Sequence, residues 1–396
     1  MSDLQQEISD REAAEDYRHQ RQEAEARKSG FVPMRDDEVE RWLHENQRLI
    51  RDIARVNGVP EGDVDDVVLK YRQALRTAPP GSPFDDVNAR VILGRILGDI
   101  ESFCTENEIP IRGGIVAGVE PAYGTNIHQA NVPTTDVSII AATIPFIAFC
   151  NLVARAMARS LPHRVVPDAL PDVSFDPEEV RPYLVSRPSV LYEWSQLLAH
   201  YAIFGWPPQH DLLATPQGWQ QVTRIRLLRA LELFAVAHEF GHHIEGHGVL
   251  VSSENRTDML AEEHEADVFA RIVSIGIGAA DQPPNHFAIA GVGGVVILGA
   301  LDLVRRAKAL LKPGDEESDA SHAATHPSFV DRVAAIAEVD QKLPGDWQTA
   351  APIMRQCFAD VLEIVWELTE PEITRLRDAG KRPHAVSETG ADWLPV

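Results

Sequence analysis

The sequence predicts a mainly α (α+β) fold with a small sheet, and two observations carry that prediction. Apolar residues recur at three- and four-residue spacing through most of the 396-residue chain. One stretch, Asp136 to Thr143 (DVSIIAAT), has the composition of a strand. Hydrophobic residues make up 44% of the chain, enough for a sizeable core and too many for wholesale disorder.

Taken in order, Leu4 to Lys28 is almost wholly polar and reads as a solvated or frayed helix. Asp36 to Val56 carries Val39, Trp42, Leu43, Leu49 and Ile50 at helical spacing, and Glu61 to Arg76 carries Val64, Val67, Val68 and Leu75. Helix is expected again over Val87 to Glu106, before glycine and proline break the pattern from Pro110 to Tyr123. The strand follows, and Pro145 opens a helix to about Arg159. Leu161 to Pro188 is proline-rich and reads as an irregular excursion over the surface. Further helices are expected over Leu191 to Phe204, Thr223 to Glu245, Asp258 to Ile275, Ala288 to Leu311, Ser328 to Gln341 and Pro352 to Asp378. The helix at Thr223 has Leu227, Leu228, Leu231, Phe234 and Ala235 on its apolar side and is stopped by Gly246 and Gly248. Lys312 to His322 (KPGDEESDASH) reads as a flexible connector. The expected organisation is an N-terminal helical extension (1–80), a principal domain (81–345), a C-terminal helix (346–380) and a flexible tail (381–396).

Acidic residues outnumber basic ones 60 to 37, a net charge of −23, which repels phosphate backbones and argues against nucleic acid as a partner. Cys104, Cys150 and Cys357 are odd in number and far apart, so they suggest buried thiols in a reducing, cytoplasmic setting. The charged start MSDLQQEISDREAAEDYRHQ has no apolar run, and no secretory signal is expected. Val137 to Ala154 contains Pro145 and Asn151, and Phe287 to Leu301 is short of the ~20 residues a membrane span needs. Both read as core elements, and no membrane partner is expected. Gly291-Val292-Gly293-Gly294 has neither a preceding strand nor a following Lys-Ser/Thr, so it reads as close helix packing rather than a phosphate loop.

The chemistry lies in His238-Glu239-Phe240-Gly241-His242, an HExxH sequence inside an expected helix. Residues four apart share a helix face, so the two imidazoles converge, and neutral imidazole nitrogen is a preferred zinc ligand. Glu239, one step round, reaches a metal-bound water without ligating the metal and takes its proton. Catalytic zinc commonly takes three protein ligands and keeps one position open. His247 falls one residue early for HExxHxxGxxH, because the chain has Glu245 and Gly248 where that pattern needs glycine and histidine. It is left to support a ligand from behind. The better third ligand is Glu263, in Glu263-His264-Glu265-Ala266-Asp267. Glu263 and Asp267 share a helix face, and small Ala266 and Ala270 permit close approach of the two helices. Asp267 is expected to orient a ligating histidine, while Glu262, His264 and Glu265 form a solvated face. His243 is expected to face elsewhere, and Asn126 and His128 to lie in an ordinary loop before the strand, the alternative being the border of a cleft.

HEFGHHIEGH followed by EHEADVFA resembles the gluzincin peptidases, which pair HExxH with ExxAD or ExxAN. These include HtpX-type stress proteases, CAAX prenyl proteases, soluble minigluzincins and ImmA/IrrE regulators. Thr325 to Arg332 (THPSFVDR) resembles the HPxxxxR segment of the HtpX and prenyl-protease branch. The resemblance spans about Thr223 to Ile336. It implies a zincin-like catalytic domain with an active-site helix, a second ligand helix and a small sheet. It implies one zinc per chain on His238, His242 and Glu263, with Asp267 in support. His326 and Arg332 are then expected to stabilise the transition state and support the site, with Pro327 opening their helix and Arg332 reaching a carboxylate such as Asp267, or substrate. The expected activity is zinc-dependent hydrolysis of an internal bond in a protein or peptide substrate, held along Asp136 to Thr143 as an edge strand. The alternatives are a catalytically silent, metal-binding regulatory protein on the same fold, and a membrane-associated protease using the two apolar stretches.

Overall fold

The structure, a computed structural model, describes residues 3–30, 36–56, 59–77, 82, 84–164, 172–208, 216, 218–247, 256–312 and 327–384. Among these residues it is mainly helical, with one three-stranded sheet and one short strand pair. The expected connector beyond Lys312, Gly248 and most of the expected tail lie outside the described residues.

Helix α8 (Trp219–Glu245) is buried on every side from Leu233 to Gly241. A helix apolar around its circumference belongs at the centre of a core. Around it pack α4 (Val87–Glu106), α5 (Ile144–Ser160), α9 (Arg256–Ala280) and α11 (Val292–Leu311). One hydrophobic cluster runs from Leu93 on α4 to Ile373 on α13 (Trp347–Asp378). The glycines of α11 act as the sequence suggests, because a Cβ on Gly293 would run into the Ala230 carbonyl. No helix among the described residues is long and apolar enough to cross a membrane. Val137 to Ala154 becomes the end of a turn, a strand and α5, and Phe287 to Leu301 becomes most of α10 (His286–Ile289) and half of α11.

The sheet corrects three expectations. Its strands are β1 (Ile115–Glu120), β2 (Ile127–Asn131) and β3 (Ser138–Thr143), in the order β1-β3-β2. The expected edge strand is therefore the middle one. All six residues of β3 are buried, and a run buried on both faces is the signature of a central strand. It pairs parallel with β1 and antiparallel with β2. The glycine-rich break contains β1, and His128 lies on β2 rather than in a loop. Gly118, the residue that interrupts the strand pattern, is where the Arg18 side chain packs; a Cβ there would come within 2.9 Å of Arg18 Cδ.

That contact belongs to α1 (Asp3–Ser29), which is packed rather than frayed. Ala14, Arg18, Gln22 and Ala26, four residues apart, are buried, and Ala14 meets Val116, Ile139 and Ala141 on the outer sheet face. Arg18 Nη1 donates to both oxygens of Asp85 at 2.7 and 2.9 Å, and Gln22 Nε2 donates to Asp85 at 2.7 Å and to the Val119 carbonyl. Buried polar side chains with satisfied donors leave no trace in a hydropathy pattern.

The expected excursion also holds structure: a strand pair, β4 (His163–Arg164) with β5 (Asp172–Val173), and α6 (Pro177–Val185), which precedes α7 (Pro188–Phe204). Asp176 caps α6 by accepting from Glu178 N at 3.0 Å, with Pro177 in its first turn. Helix α12 (Phe329–Glu338) starts one residue beyond Ser328, whose Oγ accepts from Asp331 N at 3.3 Å. Ser328, not Pro327, opens it. The tail begins packed, since His384 N donates to Ile203 O at 2.8 Å.

Candidate metal centre

The fold brings His238, His242 and Glu263 together in an arrangement able to hold a metal ion. On α8 the two rings meet nearly at right angles, 84° between their planes, with Nε2 atoms 3.1 Å apart. From α9, Glu263 turns Oε2 to within 3.4 Å of His238 Nε2 and Oε1 to within 3.5 Å of His242 Nε2. A tetrahedral site with bonds of about 2.0–2.1 Å sets its ligand atoms about 3.3–3.4 Å apart, so the three residues fit zinc in kind and in spacing. The helices meet closely because Gly241 faces Ala266. A Cβ on Gly241 would lie 3.1 Å from Ala266 Cα and 3.2 Å from Phe269 Cδ1.

Hydrogen bonds behind the rings settle where their protons lie. His238 Nδ1 is 3.0 Å from Asp267 Oδ1, and a carboxylate only accepts, so Nδ1 carries hydrogen. Arg332 of α12 holds Asp267 with two bonds, Nη2 to Oδ1 at 2.6 Å and Nε to Oδ2 at 2.8 Å. Burial pushes the Asp267 carboxyl up, but Arg332 and His238 outweigh it and keep the group below its ordinary value. Burial and Arg332 likewise push His238 down, yet Asp267 and Glu263 raise it to about 9.

His242 is oriented by a different route. Gly246, in the left-handed conformation, ends α8, and His247 N donates back to His242 O at 3.0 Å. That turn sets the two Nδ1 atoms 2.8 Å apart. His247 Nε2 lies 3.0 Å from Glu265 Oε2, so it donates there and leaves its Nδ1 to accept from His242 Nδ1–H. The His242 Nε2 lone pair is thereby directed at the site. His247 thus stands behind His242, and Glu265, expected on a solvated face, anchors it.

Glu239 is 4% exposed, and its Oε2 accepts from the backbone N–H of Gln129 on β2 at 2.6 Å. The edge strand therefore meets the helix beside the histidines. Asn131 Nδ2 donates to His247 O at 2.9 Å, and Gln129 Nε2 donates to Ser138 Oγ at 2.7 Å. His243 faces away from the site, buried between Ser138 Oγ (2.8 Å from Nδ1) and Arg112 O (2.6 Å from Nε2). Burial, with Arg112 close by, lowers it to about 4, and its neutral ring ties α8 to the sheet. His264 pairs with Glu338 at 3.2 Å on the outside of α9.

Of the residues singled out from sequence, Glu239, Asp267, His247 and Arg332 all gather around the three ligand candidates. Arg332 is fully buried, paired with Asp267, and comes within 4.0 Å of Glu263. His326 lies outside the described residues. His128 is on the outer sheet face and Asn126 precedes β2, neither bonded to the three ligand candidates. The contributions of Gln129 and Glu265 were not legible: one comes from a backbone N–H, the other from the turn at Gly246. No family model, no curated protein and no solved structure matches this chain.

Proposed function

We propose that the chain is a zinc-dependent endopeptidase that hydrolyses internal peptide bonds of a protein or peptide. The observation that carries this is the convergence of His238, His242 and Glu263 beside the Glu239 carboxylate. A zinc ion held by those three residues supplies Lewis acidity towards the substrate carbonyl and lowers the pKa of water to about 7. Glu239 takes the water proton and returns it to the leaving amine. Its bond to Gln129 N sets that carboxylate against the edge strand. An extended peptide lying along β2 takes main-chain hydrogen bonds from the same edge and carries its scissile bond towards Glu239. The motif resemblance adds His326 as a donor to the developing oxyanion, a role that His326→Phe tests through kcat. Three cysteines without a disulfide suit a reducing compartment such as the cytoplasm.

A second reading has one observation in its favour. Glu239 is almost wholly buried and already engaged by Gln129 N, as expected of a metal-binding regulatory protein without turnover. Glu239→Gln separates the two. Zinc content measured by mass spectrometry should stay near one per chain, and peptide hydrolysis should fall about 10²–10⁴-fold. Full hydrolysis by the variant, or none by the parent protein loaded with zinc, would sink the peptidase reading.

A further inference from the structure

A second cluster of charged side chains lies on the other half of α8. Arg224 is 14 residues before His238, about 21 Å along the helix axis. Its Nη2 donates to Asn151 Oδ1 of α5 at 2.7 Å and its Nη1 to Gln221 Oε1 at 3.2 Å. Asn151, Arg155 and Arg159 follow one another at four-residue spacing on α5, so they share a face. Arg155 is 8% exposed and Arg224 5%. Arg155 Nη2 and Arg224 Nε are both buried without a hydrogen-bond partner.

Counter-charge is scarce here. Arg159 is ion-paired with Glu193, itself 4% exposed. Asp52 is ion-paired with Arg55 at 3.2 Å and accepts from Gln221 Nε2 at 3.3 Å, so it acts on Arg224 only through space. Among the described residues no carboxylate touches Arg155 or Arg224, in a chain that carries 60 acidic residues against 37 basic ones. Burial and neighbouring guanidinia lower Arg155 and Arg224 only to about 10, which leaves both charged at neutral pH. A buried guanidinium without an anion is costly, and its planar fork of donors matches an oxyanion. Helix α8 also starts at Trp219 with no side-chain cap, which adds the positive end of its dipole to the same region.

We propose that Arg155, Arg224 and Arg159 form a binding site for the oxyanion group, phosphate or carboxylate, of a ligand, separate from the metal centre. The site needs no zinc and is independent of the peptidase reading. Arg155 supplies unpaired donors, Arg224 is held in place by Asn151 and Gln221, and Arg159 shares its charge with Glu193.

The test is thermal unfolding and calorimetric titration of the full chain with potassium phosphate or potassium acetate, against potassium chloride at equal ionic strength. A saturable rise in Tm of about 2–4 °C with phosphate, acetate or both is expected, and the stronger of the two names the ligand group. Arg155→Met should weaken that binding at least tenfold while the variant stays folded, and Arg155→Lys should weaken it less. No response to either anion beyond chloride overturns the site. So does a response that Arg155→Met leaves unchanged, which would assign the anion elsewhere, including to a metal. Should Arg155→Met fail to fold, Arg224→Met must show the same loss of response for the site to stand.

Discussion

Arg332 grips Asp267 with two short bonds, Nη2–Oδ1 at 2.6 Å and Nε–Oδ2 at 2.8 Å, and neither side chain reaches solvent. The pair stands 65 residues apart in sequence and joins α12 to α9 directly behind His238. Arginine, carboxylate and imidazole form one compact cluster at the candidate metal site, with Arg332 Nη2 3.2 Å from His238 Nδ1 and Nη1 4.0 Å from Glu263 Oε2. A buried charge pair adds little net stability over an apolar pair, but leaving one member alone is expensive.

Arg332→Met should therefore destabilise the protein by about 3–5 kcal/mol, because Asp267 stays buried and unpaired. The same change should weaken zinc affinity by about 10–100-fold by loosening the carboxylate that orients His238. Urea unfolding of the chelated protein measures the first effect, and competition with a chromogenic chelator the second. Unchanged affinity in a folded variant would show that His238 is oriented without help from α12.

The relay from Glu265 through His247 to His242 makes a separate forecast. His247→Ala removes the acceptor of His242 Nδ1–H and frees that ring to rotate. Zinc affinity should fall by about 10-fold or more, with stability nearly unchanged. Glu265→Gln should do less, since the amide oxygen still accepts from His247 Nε2–H. Equal losses in both variants would mean that the Glu265 charge, not the ring orientation it sets, matters.

What the sequence made legible follows from local geometry. HExxH and ExxAD declare themselves because a four-residue spacing fixes a helix face, whatever surrounds it. The helices around α8 were readable from apolar spacing for the same reason. The sheet was harder, since β1 contains Gly118 and β2 is IHQAN, neither a strong strand composition. The packed side of α1 was invisible because Ala14, Arg18, Gln22 and Ala26 carry no hydropathy contrast with their neighbours. Gln129 acts through its N–H, a group that every residue but proline possesses. Glu265 faces outward on its own helix and gains its partner only because Gly246 folds the chain back.

Close approach of α8 and α9 is the condition for sharing a metal, and Gly241 is where it is tested. Gly241→Ala gains up to about 1 kcal/mol of helix propensity. The new methyl, however, would stand 3.1 Å from Ala266 Cα, a backbone atom of a packed helix that yields little. Overpacking should outweigh the gain and leave the variant about 1–2 kcal/mol less stable. Displacing α9 also moves Glu263, so zinc affinity should drop in the same variant. A more stable protein with undiminished affinity would show that the helices have room to spare.

The last prediction concerns pH and the sheet rather than the metal. His128 on β2 has Arg21 of α1 3.0 Å from its Nε2 and Glu120 of β1 3.4 Å from its Nδ1. Burial and Arg21 depress the ring to about 4, against the smaller upward pulls of Glu239 and Glu25. The depressed value means that the fold prefers the neutral ring, while the unfolded chain takes up a proton near pH 6.5. Stability from this group is thus complete above pH 6.5 and is lost as pH falls towards 4, by up to about 3 kcal/mol. His243, also lowered to about 4, acts in the same direction and deepens the loss. Urea unfolding of the chelated protein at pH 7.0 and at pH 4.5 should show the decline, and His128→Gln, which cannot titrate, should show a visibly smaller one. Carboxylates that titrate in the same window are common to both proteins and cancel in the comparison. Identical declines would mean that the His128 ring is protonated as readily in the fold as outside it, and that Glu120 rather than Arg21 governs it.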